Sequence, residues 1–164
     1  MEQEMNDTQK DFFPFEVRQV GIVVRDREKT MQQIGSLLGI TSFRLVNFDQ
    51  IEVIVHGKKT RCDAKLAFAQ VGPIEIELIE PGHGESIWAE FLSAKGEGVH
   101  HVGIFVPDID KESARFMEMG IGNLQSGEDD HVRFSYWDTE GIVGVIIELL
   151  QIKSIIQNGG GKKL

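Results

Sequence analysis

The chain of 164 residues predicts an α+β fold in which two β-α-β-β-β modules pair to form one curved mixed sheet around a cleft. Three observations carry this prediction. The stretch VRQVGIVVRD, Val17 to Asp26, returns as VHHVGIFVPD, Val99 to Asp108. Each copy is followed by an amphipathic segment that ends in Gly then Ile, at Gly39-Ile40 and Gly120-Ile121. Finally, IEIELI at Ile74 to Ile79 returns as VIIELL at Val145 to Leu150. Two ends of one module recurring in the same order mark an internal duplication, which has to be recognised before the fold is read.

The elements of the first module follow in order. Val17 to Val24 is apolar and β-branched, hence a strand. Asp26 is placed to cap the next helix, whose apolar face is Met31, Ile34, Leu37 and Leu38 and whose stop is Gly39. Ile51 to His56, Asp63 to Gln70 and Ile74 to Glu80 then read as three strands separated by GKKTR and GP turns. A connecting segment, GHGESIWAEFLSAKGEG, holds a short amphipathic helix, Ser86 to Ala94, whose Ile87, Phe91 and Leu92 can cover apolar surface.

The second module repeats the order. Val99 to Val106 is its strand, Asp108 its cap, and Ile109, Phe116 and Met119 one side of its helix before Gly120. Strands follow near Gly122 to Gln125, His131 to Trp137 and Val143 to Leu150, with an acidic GEDD turn between the first two. The chain reads as one domain over 1–164, with module one at about 15–80, a linker helix at about 84–96, module two at about 97–152 and a flexible GGGKKL tail at 159–164. One such unit leaves a sheet face bare, and two bury it by pairing their sheets.

Composition narrows the function classes. An apolar content of 41% with 26% charged residues is that of a folded protein. A net charge of -9, with no long stripe of Lys and Arg, argues against a polyanionic partner, so no nucleic-acid partner is expected. A small anionic ligand is compatible with local clusters such as Lys58, Lys59 and Arg61. The single cysteine, Cys62, forms no intrachain disulfide and no cysteine-rich metal site, which fits a reducing cytoplasm. The polar, acidic start MEQEMNDTQKDFFPF lacks the pattern of a signal peptide, and no apolar span of about 18 residues is present, so a cytoplasmic location with no membrane partner is expected.

Strand alternation assigns the faces. Val20, Ile22 and Val24 form a bulky row suited to the helix-covered side, which turns Gln19, Gly21 and Val23 inward. Likewise Val102, Ile104 and Val106 face out, and His101, Gly103 and Phe105 face in. Glu77 is flanked by Ile76 and Leu78, and Glu148 by Ile147 and Leu149, so both glutamates stand on the cleft side. A carboxylate within an apolar strand is costly unless paired, protonated or bound to a metal.

A divalent ion accounts for all of these residues together. Gln19, Glu77, His101 and Glu148 offer an amide oxygen, an imidazole nitrogen and two carboxylates, whose combined charge of about -2 balances a dication. This mixed set suits Zn, Co, Ni or Mn and makes the expected cleft a metal cleft. Blander accounts exist: an inward glutamine is ordinarily only hydrogen-bonded, an HH pair can be structural, and Glu75 shares the face of Glu77, so an exposed edge strand can account for both acids.

Over nearly the full chain, from about Phe15 to Gln151, this arrangement resembles the vicinal oxygen chelate superfamily, also called the glyoxalase fold. The segments IEIELIEPGHGESIWAEFLSAKGEGVHHVGIFVPDID and VGVIIELL look most like the methylmalonyl-CoA epimerase family. That resemblance places metal ligands at Gln19, Glu77, His101 and Glu148. A histidine is usual at the first of these places in epimerases, whereas Gln with Glu, His and Glu resembles the set of zinc-type glyoxalase I. The resemblance thus implies a metal-dependent isomerase of 2-substituted acyl-CoA thioesters such as methylmalonyl-CoA, or a lactoylglutathione lyase acting on a thiohemiacetal. A non-catalytic small-molecule-binding or resistance protein of the same fold is the third alternative. It also implies a homodimer, Glu148 as one catalytic base with Glu77 as the second, and a contribution from Glu52. For the phosphates of CoA, Lys58, Lys59, Arg61 and Lys95 are candidates, and Phe105, Phe134, Tyr136 and Trp137 can shape an apolar wall.

Overall fold

The computed structural model describes residues 15–153; the tail expected at 159–164 lies outside the described residues. The first module comprises β1 (Glu16–Val23), α1 (Arg27–Leu38), β2 (Arg44–Val55), β3 (Lys58–Val71) and β4 (Ile74–Gly84). A connecting helix, α2 (Ile87–Lys95), leads to the second module: β5 (Gly98–Phe105), α3 (Ile109–Glu118), β6 (Asn123–Glu128), β7 (Val132–Trp137), α4 (Glu140–Val143) and β8 (Ile146–Ile152). The strands pair in the order β1-β4-β3-β2-β6-β7-β8-β5, and β5 returns to β1, so the mixed sheet closes on itself. The duplication is explicit in the pairing: β1 runs parallel to β4 as β5 does to β8, and the modules meet antiparallel at β1 with β5 and at β2 with β6.

Three apolar clusters follow from strand alternation. Ile22, Val24, Ile76 and Leu78 pack under Met31 and Ile34 of α1. Ile104, Val106, Ile147 and Leu149 pack under Ile109 and Phe116 of α3. The opposite faces of the same strands contribute Val23, Ile79, Phe105 and Leu150 to an inner cluster, closed by Ile87 and Trp88 of α2. The helices therefore cover the outside, and the interior is left to the residues assigned inward from their two-residue period.

Several expectations need correction. Leu37 and Leu38 in the last turn of α1 are exposed, as is Met119 after α3, so the apolar residues that pack on the sheet are Met31 and Ile34 in α1 and Ile109 and Phe116 in α3. The segment GKKTR is not a turn: the reversal is confined to His56 and Gly57, both at positive φ (47° and 78°), and Lys58 already begins β3. Such a two-residue connection matches the right-handed twist of long hairpin strands. Strand β2 starts at Arg44, not Ile51, and bends at an irregularity between Phe48 and Ile51, where Gln50 has φ 54°. The GEDD segment is half strand, since β6 runs to Glu128. The first three residues of the strand expected from Val143 are instead the end of α4 and a left-handed Gly144 that lead into β8.

Candidate metal centre

Each inward residue is brought to the centre of the sheet by an element of known register. Strands β1 and β5 lie side by side, with β4 beyond the one and β8 beyond the other, so Gln19, Glu77, His101 and Glu148 come from four consecutive strands. All four residues are buried. Nε2 of His101 lies 3.3 Å from Oε2 of Glu77 and 3.1 Å from Oε2 of Glu148. One ligand atom from each of these three residues falls within 4.8 Å of the other two. Gln19 lines the same cavity as Glu77 and Glu148, and its Nε2 donates to Oε1 of Glu75 at 3.1 Å.

The chemistry of the set fits a divalent ion. Oε1 of Gln19, Oε2 of Glu77, Nε2 of His101 and Oε2 of Glu148 are all buried without an aligned hydrogen-bond partner. Buried polar atoms are nearly always paired, yet here Nε2 of His101 meets both carboxylate oxygens without an aligned hydrogen bond, and Oε1 of Gln19 in the same cavity wall has no partner. Burial, only partly countered by hydrogen bonding to His101 and reinforced by the charge of Glu148, raises the pKa of Glu77. Burial pulls the His101 imidazole down, but the Glu148 and Glu77 carboxylates outweigh it and push its pKa up to about 9. Excess negative charge gathered at this point is what a buried dication neutralises. The Glu77, His101 and Glu148 cluster can coordinate a divalent metal ion.

Two glycines make the geometry possible. A Cβ on Gly21 would fall 1.8 Å from Cε1 of His101, and one on Gly103 would fall 2.8 Å from both Cβ and Oε1 of Gln19. Each copy of the VGI motif thus vacates the space that the other copy's inward residue occupies. Two irregularities add to this. Between β1 and β5 the register skips Arg18 on one side and His100 on the other, the residues preceding Gln19 and His101. A bulge re-aims side chains locally, and His100 becomes buried beside His101, their Nδ1 atoms 3.0 Å apart. Burial, the neighbouring His101 charge and Lys95 lower the His100 pKa to about 3.

The cavity in front of the cluster measures about 430 Å³. Its wall includes Phe105, Phe134 and Tyr136, as expected, together with Phe48, Phe68 and Trp88, which were not anticipated. Trp137 does not contribute: it packs outward, 5.3 Å from the ring of Phe116, beneath α3. The basic residues expected to serve phosphates also lie elsewhere. Lys58 pairs with Glu85, Arg61 with Glu52 and Lys95 with Glu140, and none of them lines this cavity. Glu52 is likewise outside it, in a groove of about 960 Å³ on the outer side of β2, β3, β6 and β7. The basic side chains at the cavity are instead Arg44 and His131. Arg44 was missed because β2 begins earlier than its turn signals suggested; the run Phe43 to Phe48, free of Gly and Pro, was the available clue.

Comparison with known proteins agrees with this architecture. Residues 18–136 match the family described as the Glyoxalase/Bleomycin resistance protein/Dioxygenase superfamily. The chain belongs to this superfamily. Among solved structures, a hypothetical protein from Bacillus halodurans is 24% identical, with TM-score 0.64 over 89% of this chain and 100% of that one. A methylmalonyl-CoA epimerase in complex with methylmalonyl-CoA and NH4+ is 20% identical, with TM-score 0.61 over 85% of this chain and 95% of that one. The methylmalonyl-CoA epimerase from Mycobacterium tuberculosis is 22% identical, with TM-score 0.59 over 82% of this chain and 86% of that one. At these identities the likeness is one of fold. No curated protein sequence matches the chain. Among the described residues, no helix is long and apolar enough to cross a membrane.

Proposed function

We propose that the protein is a metal-dependent isomerase that epimerises a 2-substituted acyl-CoA thioester, with methylmalonyl-CoA as the first substrate to test. The supporting observation is the convergence of three buried ligand atoms, from Glu77, His101 and Glu148, within 4.8 Å of one another beside a cavity of about 430 Å³ whose wall includes Gln19. In this reading Gln19, Glu77, His101 and Glu148 hold the ion. The bound dication supplies Lewis-acid stabilisation of the negative charge that develops on the substrate when a proton leaves carbon.

The chain's own residues carry the proton. Glu148 takes it from the carbon next to the thioester, and Glu77 returns one to the opposite face; the reverse direction exchanges their roles. Each carboxylate has two oxygens, so one can hold the ion while the other handles a proton. Aromatic and aliphatic side chains around the cavity exclude water from the developing carbanion, which strengthens each electrostatic interaction there. Tyr136, facing Glu148 across β7 and β8, has its hydroxyl pKa raised well above 10 by burial and by the Glu148 and Glu77 charges, so it stays a donor.

The occurrence of Gln rather than His at position 19 favours a second reading, a glyoxalase I-like lyase. Both reactions move a proton at carbon beside a stabilised oxyanion, so substrate decides between them. Metal-loaded protein in deuterated water, given methylmalonyl-CoA in one vessel and the methylglyoxal-glutathione adduct in another, separates them. Deuterium entering only the CoA thioester supports the epimerase, and product formed only from the adduct supports the lyase. Ligand binding without exchange in either vessel points to a binding protein of the same fold. A homodimer belongs to the same proposal and is checked by sedimentation.

A further inference from the structure

The two modules differ in a coupled pair of positions. Where β1 runs parallel to β4, Gln19 is the register partner of Glu75; where β5 runs parallel to β8, His101 is the register partner of Ile146. Glu75 and Ile146 are themselves equivalent in the duplication, since Ile74–Ile79 aligns with Val145–Leu150. An amide in one copy thus accompanies a carboxylate, and an imidazole in the other accompanies an apolar side chain.

The chemistry explains the pairing. A carboxylate only accepts hydrogen bonds, so the Gln19 atom at 3.1 Å from Oε1 of Glu75 has to be the NH2 group. This turns the amide oxygen the other way, and that oxygen is the buried, unpartnered atom. Without such an acceptor, the amide is free to rotate by about 180° and present NH2 to a cation, which repels it. The second oxygen of Glu75 lies 3.6 Å from Nη2 of Arg44, whose guanidinium rests 4.0 Å from the centroid of the Phe68 ring. A charged, stacked side chain therefore keeps the carboxylate in place. His101 has no need of such a neighbour, because its second nitrogen meets His100 at 3.0 Å, which fixes the orientation of the ring.

Resting on the metal-centre reading above, we infer that Glu75 is the positioning residue that makes Gln19 an oxygen ligand, holding Oε1 toward the ion and Nε2 away from it. Arg44 supports Glu75 in that role. Glutamine is competent at this place because of the residue beside it, and the two positions form one unit.

The test is titration of the metal-stripped protein with Co2+, with affinity from chelator competition and geometry from the visible d–d absorption. Glu75→Ile, which copies the second module, is expected to weaken Co2+ binding by about 10- to 100-fold, the usual effect of removing an outer partner of a ligand. Glu75→Ala serves in its place should Glu75→Ile fail to give wild-type circular dichroism. Glu75→Gln retains an acceptor oxygen and is expected to stay within about threefold of wild type. The double variant Gln19→His with Glu75→Ile is expected to recover most of the loss, with an absorption band shifted by the added nitrogen ligand. The inference is overturned if Glu75→Ile binds as tightly as wild type, or if the double variant binds as poorly as Glu75→Ile alone. Glu148→Gln tells the two levels apart. If it leaves Co2+ binding unchanged, or if wild type binds none, the metal-centre reading falls and Glu75 falls with it. If Glu148→Gln abolishes binding while Glu75→Ile does nothing, only the role of Glu75 is lost.

Discussion

The two modules share their backbone devices and differ in the groups that surround the proposed ion. Both have an aspartate-capped helix, a glycine that clears space for the opposite strand, a skipped residue before the inward side chain and a buried glutamate on the last strand. They part at Gln19 and His101, at Glu75 and Ile146, and at Arg18 and His100. Arg18 is exposed and lies 4.5 Å from the centroid of the Phe105 ring, whereas His100 is buried against Phe91 and Tyr136. What the barrel needs is the same in both halves, and what the site needs has diverged in neighbouring sets.

The sharpest way to break this comparison is to remove the group on which the halves agree. Glu148→Gln and Glu77→Gln each keep the shape and take away the proton acceptor. Each is expected to lower the rate of solvent deuterium exchange into substrate by about 10²- to 10⁴-fold. If only one of them does so, the halves are not equivalent in catalysis, and the proton is taken and returned by a single carboxylate.

The matching glycines provide the next test. Gly21→Ala places a Cβ 1.8 Å from the His101 ring. That ring has to move as a unit, so loss of metal affinity by about 100-fold is expected. Gly103→Ala meets both Cβ and Oε1 of Gln19 at 2.8 Å and Cδ1 of Leu150 at 3.0 Å, a smaller overlap than at Gly21, and should cost about tenfold. Chelator competition measures both, and circular dichroism checks that the sheet is retained. Equal losses would mean that the closing of the sheet, not the ligands, is what the glycines serve.

Much of this was legible in the sequence, and the physical reason is the two-residue period. Inward faces at Glu77 and Glu148 follow from apolar neighbours on either side, those at Gln19 and His101 from the apolar rows Val20, Ile22, Val24 and Val102, Ile104, Val106, and the duplication implies that two sheets pair. The bulges were not legible, because register depends on the partner strand and not on the strand's own residues; hence the burial of His100 beside His101 was unforeseen. Arg44 and Phe48 were missed for a related reason: the early half of β2 carries polar Asn47 and Asp49 on its other face and reads as loop. Lys58, Lys59 and Arg61 are candidates for the substrate only because charge in a sequence has no direction, whereas in the fold none of them lines the cavity, and Lys59 and Arg61 line the groove on the other side of the sheet.

Protonation separates the halves further, since Gln19 does not titrate and His101 does. The folded pKa of His101, about 9, lies above its ordinary 6.5. In metal-free protein its protonation therefore stabilises the fold fully below pH 6.5 and ceases to do so as pH rises through about 9. A bound ion excludes that proton, so apparent affinity for Co2+ should rise about tenfold per pH unit between about 7 and 9 and then flatten. Titration calorimetry in buffers of different ionisation enthalpy should report about one proton released per ion at about pH 7.5. Gln19→His, by making the first half like the second, should steepen the pH dependence, while a flat profile in the wild type would remove His101 from the ligand set.

The smallest expected effects concern the features the halves share for folding alone. Asp26 accepts one helix N–H, from Lys29 at 2.9 Å, and Asp108 accepts two, from Asp110 at 3.1 Å and Lys111 at 3.0 Å. Replacing either with Ala leaves backbone donors at a helix start unpaired, at a cost of about 1 kcal/mol, with the larger loss at Asp108. Urea denaturation should show the midpoint falling with the slope unchanged. Co2+ affinity should stay within about twofold in both, because the capped helices cover the face of the sheet opposite the cavity. A cap variant that weakened the metal would show that the helices position the strands at the site, and the division between shared framework and diverged centre would then have to be drawn inside the strands themselves.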